Sequence, residues 1–324
     1  MTSGAGTGRF DVVMTAPRLA APAVAVLEQA GCRIHYMQPY PSAEAVAALA
    51  REVAAHAILS RQGPVDAAAM DASPNLAIVA RHGVGVDDVD IAAAQARGIM
   101  VTRAPGSNTT AVAEHTLAVI LALAKDLRPL GATIAAGGWR GAAGQVRDIE
   151  GMRLGLLGFG AIGRAVARLA LAFGMRVAAF TPNPVPTAGV EFVRSPAELW
   201  PRADVLSLHC PYTPATRHIV DAAAIAALPH GGFVINTARG GLIDEAALAA
   251  ALDAGHLAGA ALDVFETEPP AADDRLRDHP HVFVTPHVSG VTPRSLDAMG
   301  TMAAECIAAR LTGGDVPPER IVSP

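Results

Sequence analysis

The sequence predicts an α/β protein built from two parallel-sheet units, and three observations carry that expectation. Short apolar runs alternate with Ala-rich helical stretches twice, over residues 10–101 and again from Arg153 onward, which is the rhythm of parallel strands with covering helices. The length of 324 residues corresponds to about two domains at roughly 150 residues each. Hydrophobic residues make up 51% and charged residues 17%, with a mean hydropathy of +0.33. That is enough apolar surface for large cores and too little charge for a disordered chain.

In the first series, strands are expected at 10–14, 33–36, 57–59, 76–80 and 99–101, with helices at 19–30, 42–53, 66–71 and 88–96. A long, mostly apolar helix follows over 108–125, then a Gly-rich loop over 137–144 around Trp139. In the second series, strands are expected at 153–157, 175–180, 204–208, 232–235, 258–262 and 282–284, and the clearest helices at 161–173, 244–253 and 292–311. The apolar stretch 112–123 is longer than one sheet face can cover, so the sequence predicts an exposed apolar surface and a homodimer.

Composition excludes several function classes. A net charge of -5 and a pI near 6.1 give no basic footprint for nucleic acid. No apolar run approaches the ~20 residues that span a bilayer, and the start of the chain lacks an apolar secretory core, so a cytoplasmic protein with no membrane partner is expected. Lys125 is the one lysine and no G-x-x-x-x-G-K-[ST] occurs, which disfavours Schiff-base chemistry and phosphate-loop hydrolases. Cys32, Cys210 and Cys306 are far apart, and the eleven histidines lack H-E-x-x-H spacing. Three reduced thiols and no metal site are therefore expected.

The strongest local signal is Gly158-Phe159-Gly160-Ala161-Ile162-Gly163, placed between the expected strand 153–157 and helix 161–173. Alone, G-x-G-x-x-G is weak. Between a strand and a helix each glycine has a mechanical reason to be there. Gly158 makes the tight turn, Gly160 admits a pyrophosphate, and Gly163 lets helix and strand pack closely. The helix N-terminus adds N–H donors and positive dipole. An acid about 20 residues on would hold the adenosine ribose of NAD. Here the next strand ends in Thr181 followed by Pro182, Asn183 and Pro184. With neither a repelling acid nor an attracting cation, either NAD(H) or NADP(H) fits, with a slight lean to NADP(H).

Three further segments follow strand-like runs: Asn236-Thr-Ala-Arg239, Asp263-Val-Phe-Glu-Thr-Glu268 and Thr285-Pro-His287. In an open parallel sheet the carboxyl ends of strands line the ligand crevice. Arg239, Glu268 and His287 are thereby expected to converge, although an isolated Arg is usually a surface ion pair and an isolated His a packed side chain.

These segments, with Gly83-Val84-Gly85-Val-Asp87-Asp-Val-Asp90, Ala104-Pro-Gly106-Ser-Asn108, Ala113-Glu-His115 and the stretch 204–211, resemble the D-isomer-specific 2-hydroxyacid dehydrogenase family over nearly the whole chain. The family includes phosphoglycerate dehydrogenases and glyoxylate/hydroxypyruvate reductases. The resemblance implies two Rossmann/flavodoxin-like parallel-sheet domains with a cleft between them: 1–101 plus 288–324 for substrate, and 102–287 for the dinucleotide. It implies hydride transfer between NAD(P)H and a small 2-keto or D-2-hydroxy acid, with His287 as proton carrier, Glu268 as its carboxylate partner and Arg239 on the substrate carboxylate. It adds Val84, Gly85 and Asn108 as substrate contacts, and His209, Pro211, Thr237, Ala238 and Asp263 on the cofactor side. Asp263 resembles the residue that binds the nicotinamide carboxamide, its bland alternative being a turn cap. His115 reads as helix packing. The phosphoglycerate branch tends to place an Arg-Ser pair after the third strand, where this chain has Ser60-Arg61-Gln62, so several 2-keto acids stay open. A dinucleotide-binding redox-sensing scaffold with little catalytic activity is the alternative function.

Overall fold

In a computed structural model, residues 9–139 and 146–323 are described. The chain divides into two compact units, Met1–Asn108 with Val291–Pro324, and Thr109–Gly290. The cuts therefore fall at 108/109 and 290/291, several residues beyond the boundaries read from sequence. The strands are β1 (Phe10–Met14), β2 (Cys32–Tyr36), β3 (Ala57–Ser60), β4 (Ile78–Arg81), β5 (Met100–Thr102), β6 (Arg153–Leu157), β7 (Arg176–Phe180), β8 (Val190–Phe192), β9 (Val205–Leu208), β10 (Gly232–Asn236), β11 (Leu257–Leu262), β12 (Val282–Val284) and β13 (Ile321–Ser323). The helices are α1 (Ala21–Gln29), α2 (Ala43–Glu52), α3 (Ala67–Asp71), α4 (Ile91–Ala96), α5 (Thr109–Ala124), α6 (Leu127–Ala135), α7 (Ala161–Ala172), α8 (Pro196–Leu199), α9 (Ala222–Ala226), α10 (Glu245–Asp253) and α11 (Pro293–Thr312). None is long and apolar enough to cross a membrane.

The first unit carries a sheet ordered β13-β5-β4-β3-β1-β2, and the second a sheet ordered β12-β11-β10-β9-β6-β7-β8. All pairings are parallel except β13 on β5. In the first sheet Val13, Ile58 and Val79 pack into one core while Val12, Met14, Leu59 and Ile78 pack into another on the opposite face. Alternate residues of each strand serve opposite layers, and both layers are apolar, as a sheet buried on both faces requires. Helix starts are set by short acids. Asp66, Asp90, Asp221 and Asp244 each accept a backbone N–H three residues on, at the heads of α3, α4, α9 and α10, relieving one of the unsatisfied amides there. Helix α11 begins with a Thr292/Ser295 capping box and Pro293, and ends at Gly313 in the left-handed region.

Three features depart from the expectation. The elements β8, β13 and α6 were not expected: β8 and β13 are short strands at the sheet edges, and β13 forms only because the returning chain pairs with β5. Helix α5 does not expose an apolar face. Its Val112, Leu117, Val119 and Ile120 are buried, the last three packed into a core of the second unit with Val166 and Ala170 of α7. Exposed apolar side chains occur instead at Leu127 and Ile134 on α6 and at Trp139 and Val146 beyond it, and also singly elsewhere, at Tyr40, Phe173 and Val185 among others. Of the Gly-rich loop, residues 140–144 lie outside the described residues.

Candidate active site

The glycine turn after β6 shows why each glycine is there. Gly158 has φ +103°, and a Cβ on it would come within 2.5 Å of the His209–Cys210 backbone. A Cβ on Gly163 would collide with the Gly158 carbonyl. Gly160, by contrast, faces open space, with nothing within 4 Å of where a Cβ would stand. It precedes α7 with no side chain capping the first turn. Uncapped amides, a helix dipole and a bare backbone suit a pyrophosphate, so these residues fit the dinucleotide that the motif implies. Phe159 is buried against Phe192, Ala161 is exposed and Ile162 half-buried.

The flanking strand ends crowd this turn. Gly158 N–H donates to the Phe180 carbonyl at the end of β7 (2.9 Å), next to half-buried Thr181. No carboxylate occurs from Thr181 to Thr187. His209 N–H donates to the Leu157 carbonyl (2.7 Å), and its Nε2 lies 2.9 Å from Ser207 Oγ. Burial pushes the His209 ring down to about 4 and the Cys210 thiol up to about 11, so both are neutral at pH 7. The Pro211 carbonyl accepts from Thr216 Oγ1. Thr237 is buried, with its hydroxyl 3.2 Å from that of Thr116 on α5. Ala238 N–H donates to Asn236 Oδ1.

Strands β10, β11 and β12 are neighbours, so the loops that leave their carboxyl ends lie side by side. His287 follows β12 with φ +53°, and its Nδ1 is 2.6 Å from Glu268 Oε2. A carboxylate only accepts, so Nδ1 carries the proton and Nε2 faces away from Glu268. The other Glu268 oxygen accepts from Phe265 N–H (3.1 Å), which folds the β11 loop back on itself. Arg239 leaves β10 with its Nη1 donating to the Ala238 carbonyl (2.7 Å). Its neighbour Gly240 abuts the Phe265–Glu266 backbone, where any Cβ would collide. The turn bearing Arg239 therefore packs directly on the loop bearing Glu268. The pairing expected of His287 and Glu268 is present as a direct hydrogen bond.

Asp263 is buried at the end of β11, and its carboxylate accepts three hydrogen bonds from the 285–289 turn. One comes from Thr285, a side chain that sequence reasoning did not single out. The available signal was a hydroxyl two residues before the histidine at a strand end.

The remaining expected residues belong to the first unit. Val84 and Gly85 form the turn after β4. There Arg81 Nε donates to the Gly85 carbonyl (2.9 Å) and Nη1 to the Arg61 carbonyl (2.7 Å), while Arg81 pairs with Asp88. Asn108 is half-buried, its Oδ1 enclosed with no hydrogen-bond partner. Among the described residues no cluster of His, Cys, Asp and Glu could hold a metal ion.

Residues 117–289 match the family described as D-isomer specific 2-hydroxyacid dehydrogenase, NAD binding domain. The D-3-phosphoglycerate dehydrogenase of Mycobacterium leprae is 39% identical over 313 residues, which is 95% of this chain and 58% of that protein. The chain thus spans little more than half the length of this relative. A solved protein from Thermus thermophilus superposes with a TM-score of 0.88 at 36% identity, covering 96% of this chain and 99% of the other. The NADPH-dependent glyoxylate/hydroxypyruvate reductase of Sinorhizobium meliloti, solved with NADP and malonate, gives 0.85 at 31% identity over 97% of each chain.

Proposed function

The chain belongs to the D-isomer-specific 2-hydroxyacid dehydrogenase family, and on that premise we propose that it transfers a hydride between NAD(P)H and a small 2-keto or D-2-hydroxy acid. The observation that carries this reading is the 2.6 Å hydrogen bond from His287 Nδ1 to Glu268, set two strands from the turn bearing Arg239. Reduction places negative charge on the keto oxygen, which must be protonated. The bound nucleotide supplies the hydride. His287, held through Nδ1, gives the Nε2 proton to the oxygen and takes it back in oxidation. Glu268 keeps the ring oriented through the hydrogen bond at Nδ1. Arg239 offers a planar fork to the substrate carboxylate, with the Val84–Gly85 amides and Asn108 as further substrate contacts. We assign the first unit to substrate and the second to the dinucleotide. Residues 158–163, Thr181, His209, Pro211, Thr237 and Ala238 make up the nucleotide surface.

NADP(H) is favoured over NAD(H) by a margin of about tenfold or less, because Thr181 offers one neutral hydrogen bond where an acid would repel a 2′-phosphate. The solved reductase whose name specifies NADPH supports the same lean. The exposed apolar side chains Leu127 and Ile134, seven residues apart on one face of α6, support a homodimer through that helix. The three unpaired thiols suit a reducing, cytoplasmic setting.

One experiment tests the central reading: a panel of 2-keto acids, including glyoxylate and hydroxypyruvate, assayed with NADH and NADPH. Turnover of at least one acid is expected. Tight nucleotide binding with no turnover across the panel would favour the redox-sensing scaffold. Sedimentation at micromolar concentration should give a dimer, and Leu127→Ser with Ile134→Ser a monomer.

A further inference from the structure

The turn that carries His287 is held by a chain of hydrogen bonds that begins outside the loop. Asp263 ends β11 almost fully buried, and its own N–H donates to the Asn236 carbonyl at the end of β10 (2.9 Å). Its Oδ1 accepts from Thr285 Oγ1 (2.6 Å) and Val288 N–H (2.8 Å), and its Oδ2 from Ser289 N–H (2.8 Å). Its main-chain carbonyl accepts from His287 N–H at 2.7 Å. The Thr285 hydroxyl before His287, the two backbone N–H groups after it, and that of His287 itself thus converge on one residue.

His287 needs such a hold. Its φ of +53° is a left-handed conformation that a residue with a Cβ adopts at a cost, and it persists where the surroundings over-determine it. Three charge-assisted hydrogen bonds to a buried carboxylate are strong enough to do so. They also occupy the carboxylate with donors of its own chain.

The chain extends one residue further. Thr285 has a single hydroxyl hydrogen, which goes to Asp263. His115 Nε2, on α5 and 3.2 Å from the same oxygen, must then be the donor. His115 links α5, a helix packed into the core of the unit, to the turn through Thr285. A histidine in an apolar helix thereby acquires a role that helix packing alone does not give it.

We propose that Asp263, with Thr285 and His115 behind it, is a positioning residue for His287: it sets the backbone of the proton carrier so that the ring meets Glu268. This rests on the reading of His287 above, and it differs from the role that family resemblance implies for Asp263, which is contact with the nicotinamide carboxamide.

The two roles predict different kinetics. Asp263→Asn replaces one acceptor oxygen with an NH2 group that opposes a backbone N–H of the turn. A positioning role predicts kcat for keto-acid reduction lower by about 10²-fold, since a displacement near 1 Å costs that much, with nucleotide Kd within about threefold of wild type. Nucleotide Kd weakened about tenfold or more, with kcat at saturating nucleotide unchanged, would assign Asp263 to the cofactor and overturn the proposal. Because a buried Asp variant can fail to fold, Thr285→Val and Thr285→Ser form the second arm. The valine variant should lose about tenfold in kcat, and the serine variant, which keeps the hydroxyl, should return to within about twofold. Equal kcat in both variants and in wild type would overturn the proposal. A spectroscopic readout separates this idea from the proposed activity. In wild type the Nδ1–H resonance of His287 should report its hydrogen bond to Glu268 whether or not any keto acid is turned over. Its loss in Thr285→Val and return in Thr285→Ser would support the positioning role. An unchanged resonance in all three proteins would refute it.

Discussion

The two units place an arginine and a histidine at the carboxyl edge of a parallel sheet, and they use them in opposite ways. In the first unit, Arg81 and His82 leave β4 together. Arg81 braces the carbonyls of Ser60, Arg61 and Gly85 and pairs with Asp88. His82 is buried, with Nδ1 unpartnered and its ring against Gly300 of α11. Burial, with Arg61 and Arg81 nearby, pushes His82 down to about 4. In the second unit, His287 is half exposed beside a carboxylate. Residue type and topological place are shared, so neither decides the role. Solvent access and the sign of the nearest charge decide it: a ring enclosed near cations stays neutral and structural, whereas a ring open on one side and paired with an acid can carry a proton.

The comparison breaks most visibly at His287. His287→Ala should lower keto-acid reduction by about 10²–10⁴-fold, the usual worth of a general acid, while nucleotide affinity measured by fluorescence titration stays near wild type. Near-normal turnover would remove His287 from the mechanism and erase the contrast between the units.

His82 should show its role in stability against pH. Its proton affinity is lower folded than unfolded, so the unfolded chain binds more protons between about pH 6.5 and 4, and stability falls as pH drops through that window. A shift from 6.5 to about 4 corresponds to about 3 kcal/mol at most. His82→Gln should flatten the fall of the urea midpoint between pH 7 and pH 5, although His209, also pushed down to about 4, retains part of it. An unchanged slope would mean that His82 is not the buried neutral group described.

Glycines make a finer version of the same test. Gly158→Ala should destabilise the fold through collision with the His209–Cys210 backbone. Gly160→Ala adds a methyl to open space and should leave the melting temperature unchanged while weakening nucleotide binding about tenfold. Equal losses of stability in the two variants would remove Gly160 from the nucleotide surface. The smallest effect is expected at Thr181→Asp, which should shift the ratio of kcat/KM toward NADH by about tenfold or less. A strong native preference for NADH would mean that another residue holds the ribose.

Much of this molecule was legible in the sequence because the relevant signals are local. The alternation of apolar runs and helices reflects parallel strands buried on both faces. The spacing of Gly158, Gly160 and Gly163 reflects sterics within one strand–turn–helix unit. Strands at 10–14, 153–157 and 282–284 agree with the structure residue for residue, because sharp Gly, Pro and charged boundaries flank them. The hydrogen bond between His287 and Glu268 could be anticipated, since strand ends in such a sheet share one edge.

Tertiary structure decided what depends on distant partners. The apolar character of 112–123 did not reveal whether α5 would be covered; packing against α7 and the sheet covers it, while Leu127 and Ile134 on α6 are exposed. Strand β13 exists only because the chain returns to pair with β5. An aspartate at a strand end reads equally well as ligand or cap, and only the placement of Thr285, Val288 and Ser289 around Asp263 shows its carboxylate holding a turn. The sequence determined which chemical groups stand at the strand ends, because periodicity and turn geometry act over a few residues. Which of them are buried, neutral or charged was settled by contacts between residues as far apart as His115 and Thr285, because burial and electrostatic pairing are properties of the packed chain.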